Sequence, residues 1–146
     1  MEDANIDIVE CGWLKDTPQN LERYLLEKEK YATYVAMIDG DRYELSNLLE
    51  YDGKFIEAIR VLFPQVKFRE GIALGKVIKE KRYKVYFQAA NTLGYSDTES
   101  IQLEEKINKA KRVVLSVVDT LGAMYWEDLN QIVSILDKII WTKTLN

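Results

Sequence analysis

The densest concentration of reactive or charge-bearing side chains lies between Lys67 and Lys84. There Lys67, Arg69, Lys76, Lys79, Lys81, Arg82 and Lys84 are opposed only by Glu70 and Glu80. Cations at that density suit phosphate groups, and the interleaved Phe68, Tyr83, Tyr86 and Phe87 add ring faces. Phosphate pairing beside base stacking is what sequence-tolerant binding of single strands uses. On a wheel drawn over residues 68–93, Phe68, Ile72 and Tyr86 share the apolar face, and of the aromatics only Phe87 stands clearly on the basic side. The expected nucleic-acid contacts are therefore the seven cations and Phe87, with Lys106, Lys109, Lys111 and Arg112 as a secondary set. The competing reading is a solvated helix face that meets the acidic part of its own fold. No helix-turn-helix or RNP pattern is present, so base-specific readout is not expected.

A second set of residues suggests metal chemistry. Glu99, Glu104 and Glu105, with Asp119 and the Glu127-Asp128 pair, could gather carboxylates around Mg²⁺, which needs only oxygen ligands and a phosphate. All-α nucleoside triphosphate pyrophosphohydrolases use paired Glu and a later Glu-x-x-Asp. Here Ser116 stands three residues before Asp119 and Tyr125 three before Asp128, so that later motif is missing. The chain has no His, which removes Ser-His and Cys-His nucleophiles, zincins and the Glu-x-x-His di-iron bundle together. No catalytic, cofactor-binding or metal-ligating residue is assigned, and the expectation is a protein that is not an enzyme. Cys11, between Val9 and Trp13, reads as a buried and inert thiol.

Composition bounds the context. The 146 residues, 47% apolar and 30% charged, suit one soluble domain, 1–146, able to bury a core without disulfides or a structural metal. A single Cys points to the reducing cytoplasm. No apolar run approaches the roughly 18 residues of a membrane span, and Met1 to Asp16 carries five acids where a signal peptide would be basic. The net charge of −4 hides a segregation of sign: residues 1–65 hold fourteen acids and seven bases, 66–112 eleven bases and six acids, 113–146 four acids and two bases. Opposite potentials on one chain allow opposite partners.

The elements that must position these side chains read as helices. Ile6 to Val9 alternates enough for a short strand within an extended arm over 1–16. Thr17-Pro18 opens a first helix, with Leu21, Tyr24, Leu25, Tyr31, Ala32, Val35 and Ile38 on one face and Asp39-Gly40 ending it. Asp41 and Glu44 resemble a capping box for a short second helix, and Phe55 to Phe63 gives a third, closed by Pro64. Residues 68–93 read as one helix with a break near Lys81, since Arg82 would otherwise sit on the apolar face; a strand over Lys81–Phe87 is the alternative. Gly71 and Gly75, four apart, offer close approach to another helix. Ser96-Asp97-Thr98-Glu99 is the strongest start signal, opening a long helix through Leu103, Ile107, Ala110, Val114, Val117 and Leu121. Leu129 to Ile140 makes the last. The predicted fold is all-α, an antiparallel bundle of five to six helices.

Apolar positions exceed what a small bundle buries: Val113 to Val118 is interrupted only by Ser116, and Ile135 and Trp141 lie off the main seams. Trp126, Ile135 and Trp141 are therefore candidate protein-interface residues. By architecture alone the chain resembles the small helical subunits of multi-subunit CRISPR effector complexes, which line a nucleic-acid channel, with no motif behind the likeness. The expectation is a non-catalytic subunit or adaptor, partnered by other protein subunits or its own copies, whose basic middle contacts a single-stranded nucleic-acid backbone. The alternative is an acidic-faced inhibitor or regulator, of viral or other regulatory origin, that docks on a basic protein.

Overall fold

The computed structural model describes residues 7–14, 32–54, 56–110 and 113–141, the side chains of 137–141 excepted. It is an α/β fold rather than a helical bundle. Five parallel strands, β1 (Ile8–Trp13), β2 (Thr33–Asp39), β3 (Ala58–Phe63), β4 (Lys84–Ala89) and β5 (Val113–Val117), lie side by side in sequence order. Three helices accompany them: α1 (Phe68–Glu80), α2 (Asp97–Ala110) and α3 (Trp126–Trp141).

The corrections share one cause. The stretches Thr33–Asp39, Ala58–Phe63 and Val113–Val117 read as helical in the sequence because their apolar residues fit steps of three and four. An uninterrupted apolar run fits any period, and parallel strands buried on both faces are such runs. Dense β-branched and aromatic residues, as in Thr33-Tyr34-Val35 and Val113-Val114-Leu115, favour the pleated surface. The stretch 68–93 divides: α1 ends at Glu80, Arg82 takes a left-handed φ of 74°, and β4 begins at Lys84. The proposed helix beginning at Thr17-Pro18 lies, up to Tyr31, outside the described residues. So do both ends of the N-terminal arm, within which Ile8–Trp13 forms β1 at the sheet edge.

Sequential order and uniform direction give the fold its asymmetry, because right-handed crossovers then place the connecting helices on one face. α1 crosses β3 and β4, α2 packs on α1 and β5, and α3 packs on α2. The main core lies under these helices, built on Ile38, Ile59, Val61, Phe63, Val85 and Phe87, with Ile72 and Ile78 of α1 and Leu103 and Ile107 of α2. On the opposite face Val35, Ala58 and Tyr86 form a separate buried cluster, and Arg60 of β3 pairs with Glu10 of β1 at 2.5 Å.

The two glycines of α1 do admit a close neighbour, but it is the sheet. A Cβ at Gly71 would fall on the ring of Phe63, and one at Gly75 on the ring of Phe87. Those rings meet edge to face at 6.0 Å, so helix, strand and ring pair interlock. Edge strand β1 carries a bulge at Cys11, where Glu10 pairs with Val35 and Gly12 with Ala36. That interruption blunts an open sheet edge. Partial burial pushes the Cys11 thiol above its ordinary value, which keeps it protonated near neutral pH.

Candidate functional site

A parallel sheet with returning helices sorts side chains to two ends. Helix N-termini lie beside the carboxyl ends of the strands, and helix C-termini beside the amino ends. Ligands of open parallel sheets gather at the carboxyl ends, where the strand order reverses; the described strands run in sequence order with no reversal. Charge, rather than a switch-point crevice, distinguishes the two ends here.

The amino end is cationic. Lys79, in the last turn of α1, donates through Nζ to the carbonyl of Ala110, the last residue of α2, at 2.6 Å, so the two helix C-termini meet. Lys81 Nζ caps the carbonyl of Leu48 at 2.5 Å, and its own carbonyl accepts the amide of Tyr51 at 2.9 Å. Lys84 pairs with Glu57 at 3.1 Å. Lys76, one turn before, and Arg82, on the turn itself, are exposed, as is Lys109 in the last turn of α2. Cations there complement the negative ends of two helix dipoles. That accounts for some of them electrostatically; it does not use up the exposed three.

The structure therefore divides the expected nucleic-acid residues. Lys76, Lys79, Lys81, Arg82 and Lys84 come together at the amino end, and Lys106 and Lys109 of α2 join them. Lys67 and Arg69 stand at the other end of α1, Arg69 about 10 Å along the helix axis from Lys76 and about 15 Å from Lys79. There Arg69 lies over the Phe68 ring, 5.1 Å from its centre, and bonds Gln102 at 3.3 Å. Phe87 is a correction: it is fully buried beneath α1 and offers no face for stacking. Its place on the basic side of the wheel existed only while β4 was read as helix. Sequence reasoning gave less weight to Lys106 and Lys109, whose link to Lys79 depends on the crossover topology.

At the carboxyl end acidic side chains stand beside Arg42, Lys67 and Arg69. Asp39 and Asp41 flank Gly40, and a hydrogen bond between their carboxyl groups raises Asp39 and lowers Asp41 from the ordinary carboxylate value. Gly40 is required there because a Cβ would lie 2.8 Å from the Leu62 carbonyl. Glu99 accepts from the Ser96 amide at 2.9 Å, the Ser96 hydroxyl at 2.7 Å and Gln65 at 2.9 Å, which holds its carboxyl below the usual range. Asp119 accepts the amides of Ala123 and Met124 at 2.9 and 3.0 Å and is lowered likewise.

The carboxylates considered for Mg²⁺ are not gathered. Glu99 caps α2, Glu104 is 2% exposed and accepts from Asn108 at 3.1 Å, and Glu105 faces solvent. Asp119 closes its own loop. Among the described residues no three His, Cys, Asp or Glu side chains are placed to hold a metal ion.

Of the interface residues, Trp126 is 70% exposed at the start of α3, continuing a run with Leu121 at 74% and Tyr125 at 75%. Ile135 is half-buried and lines a small cavity against α2. The side chain of Trp141 lies outside the described residues. No helix among the described residues is long and apolar enough to cross a membrane. No protein-family model matches the chain, and no curated protein matches its sequence.

Proposed function

We propose that this protein is a non-catalytic α/β subunit or adaptor of a cytoplasmic assembly, and that its amino-end cations contact a nucleic-acid backbone without reading sequence. The observation that carries this is the gathering of Lys79, Lys81, Arg82 and Lys84 around the C-terminus of α1, with Lys79 held against the last residue of α2 next to exposed Lys109, and Lys76 exposed one turn earlier. Each exposed cation can displace a counterion from a phosphate, and the resulting affinity depends on salt and not on base identity. With Phe87 buried, stacking contributes nothing through that ring, so the contact is electrostatic. The absence of His leaves the chain without the usual proton shuttle, which supports a binding role.

A second reading rests on a different observation. Leu121, Tyr125 and Trp126 stand exposed beside Asp119, Glu127 and Asp128, an aromatic centre with an acidic rim. Large exposed aromatics are enriched at protein interfaces. That end suits a basic protein partner, and the two ends together suit an adaptor.

Native mass determination of the protein purified from its own cells, with and without nuclease, tests both. Co-purifying subunits and a nuclease-sensitive mass are expected. A monomer free of nucleic acid overturns the first reading, and a nuclease-insensitive complex with a basic protein favours the second.

A further inference from the structure

We infer that the open edge of β5 and the outer side of α3 form a contact surface between two copies of this chain, whose β5 strands pair antiparallel across a two-fold axis. The inference uses none of the cations assigned above to phosphate. For the exposed aromatic end that the second reading gives to a basic protein, it names a second copy as the occupant.

The two edges of the sheet differ. β1 is interrupted by its bulge and carries Glu10, and both features discourage a further strand. Among the described residues β5 pairs with β4 alone, in unbroken register from Val113 to Val117, and it holds no charge, Pro or Gly. Its alternate amides and carbonyls point away from β4, and Val114 is 46% exposed. The helix above extends this surface. α2 packs on α1 and α3 on α2, in the same order as β3, β4 and β5 beneath, so the side of α3 turned from α2 lies over the open edge. Gln131 bonds Asp97 of α2, while Ile132 and Leu136 share a crevice with Leu115 and Val117. At about 100° per residue, Trp126 and Val133 then stand on the side turned away from α2, and they are 70% and 40% exposed.

Charge and area point to a second copy. Lys111 and Arg112 precede β5 in the chain, and Asp119 follows it. Antiparallel pairing of two β5 strands sets the cations before one beside the acid after the other, whereas parallel pairing sets like charges together. Between those ends two uncharged apolar strands meet without repulsion. The exposed parts of Leu121, Tyr125 and Trp126, at 74%, 75% and 70%, with those of Val114 and Val133, come to about 500 Å² per copy. Two copies thus bring about 1,000 Å² of apolar side chain, to which strand backbone adds, against the roughly 1,200 Å² at which stable interfaces begin. A two-fold contact uses one surface on both copies and closes the open edge of each.

Sedimentation equilibrium of the full chain tests this. A dimer that dissociates in about the micromolar range is expected. Val114→Lys on the strand and Val133→Lys on the helix, both at exposed positions, should each weaken it by about tenfold or more while leaving the circular dichroism unchanged. Ile8→Lys on the β1 edge, where the parent residue is 43% exposed, should leave the dimer as it is. A parent that stays monomeric at about 100 μM overturns the inference and leaves the aromatic end to the second reading. Loss of the dimer in Ile8→Lys overturns it too, because the contact would then run head to tail from β5 of one copy to β1 of the next. So does a dimer indifferent to Val114→Lys and Val133→Lys combined.

Discussion

Arg82 joins the two questions this chain raises, how it folds and what it binds. It occupies a left-handed φ of 74° that links α1 to β4, a conformation natural to Gly and strained for a residue with a Cβ. Its side chain is exposed, next to Lys81 and Lys84. Arg82→Gly should therefore raise stability by about 1 kcal/mol in denaturant titration while weakening nucleic-acid binding. Parallel losses of both would show that the residue serves the fold. The glycines behave oppositely. Gly75→Val puts two methyl groups into the Phe87 ring and should cost about 3 kcal/mol or prevent folding. At this scale the sequence was legible in part: the break near Lys81 follows from Arg82 falling on an apolar face. Phe87 was not legible, because its environment is created by α1 lying across the sheet.

Local signals divided: the Ser96-x-x-Glu99 box and the spacing of Leu129 to Ile140 hold, whereas the Asp41-Glu44 pair is followed only by a three-residue 3₁₀ turn, Leu45–Asn47, and the spacing of the strand stretches misleads. The Ser96-x-x-Glu99 box starts α2, with the Ser96 hydroxyl accepting the Glu99 amide at 3.3 Å and the Glu99 carboxylate accepting the Ser96 amide at 2.9 Å. Such reciprocity is written in two residues and needs no tertiary context. Ser96→Ala should cost about 1 kcal/mol in thermal or chemical unfolding. Because these bonds hold Glu99 below its ordinary value of 4.5, its contribution is full above that pH and is lost as pH falls through the lower folded value. Glu99→Gln should accordingly flatten the acid limb of the stability profile below pH 4.5 and leave its shape near neutrality unchanged. By contrast, Val113 to Val117 continues the apolar spacing of α2 so smoothly that the spacing predicts one long helix, whereas β5 begins three residues after α2 ends. Strand length and β-branching carried the truth there, and they were outweighed by spacing.

On the scale of the whole molecule, the basic stretch of the chain is divided by the fold: Lys67 and Arg69 stand at the N-terminus of α1 and the cations from Lys79 to Lys84 around its C-terminus. Acids in the first turns of α1, α2 and α3 and cations in the last turns of α1 and α2 complement the helix dipoles. The fold class was misread, yet the charge reading retained part of its content, because a basic stretch is basic in any fold. What changed was its shape: Lys67 and Arg69 left the cluster, Lys106 and Lys109 entered it, and Phe87 went into the core. The resemblance to helical effector subunits does not survive the parallel sheet.

The central claim is that exposed cations at the amino end hold a phosphate backbone. Fluorescence anisotropy of labelled single strands of unrelated sequence, titrated across salt concentrations, tests it most directly when the parent is compared with a variant carrying Lys76→Glu, Arg82→Glu and Lys109→Glu. Similar affinities for all sequences are expected for the parent, and for the variant a uniform weakening with a salt slope flatter by about 2, the loss of three phosphate contacts at about 0.7 each. Identical affinity and slope in the two proteins, or a parent that binds no strand at low salt, would contradict the account.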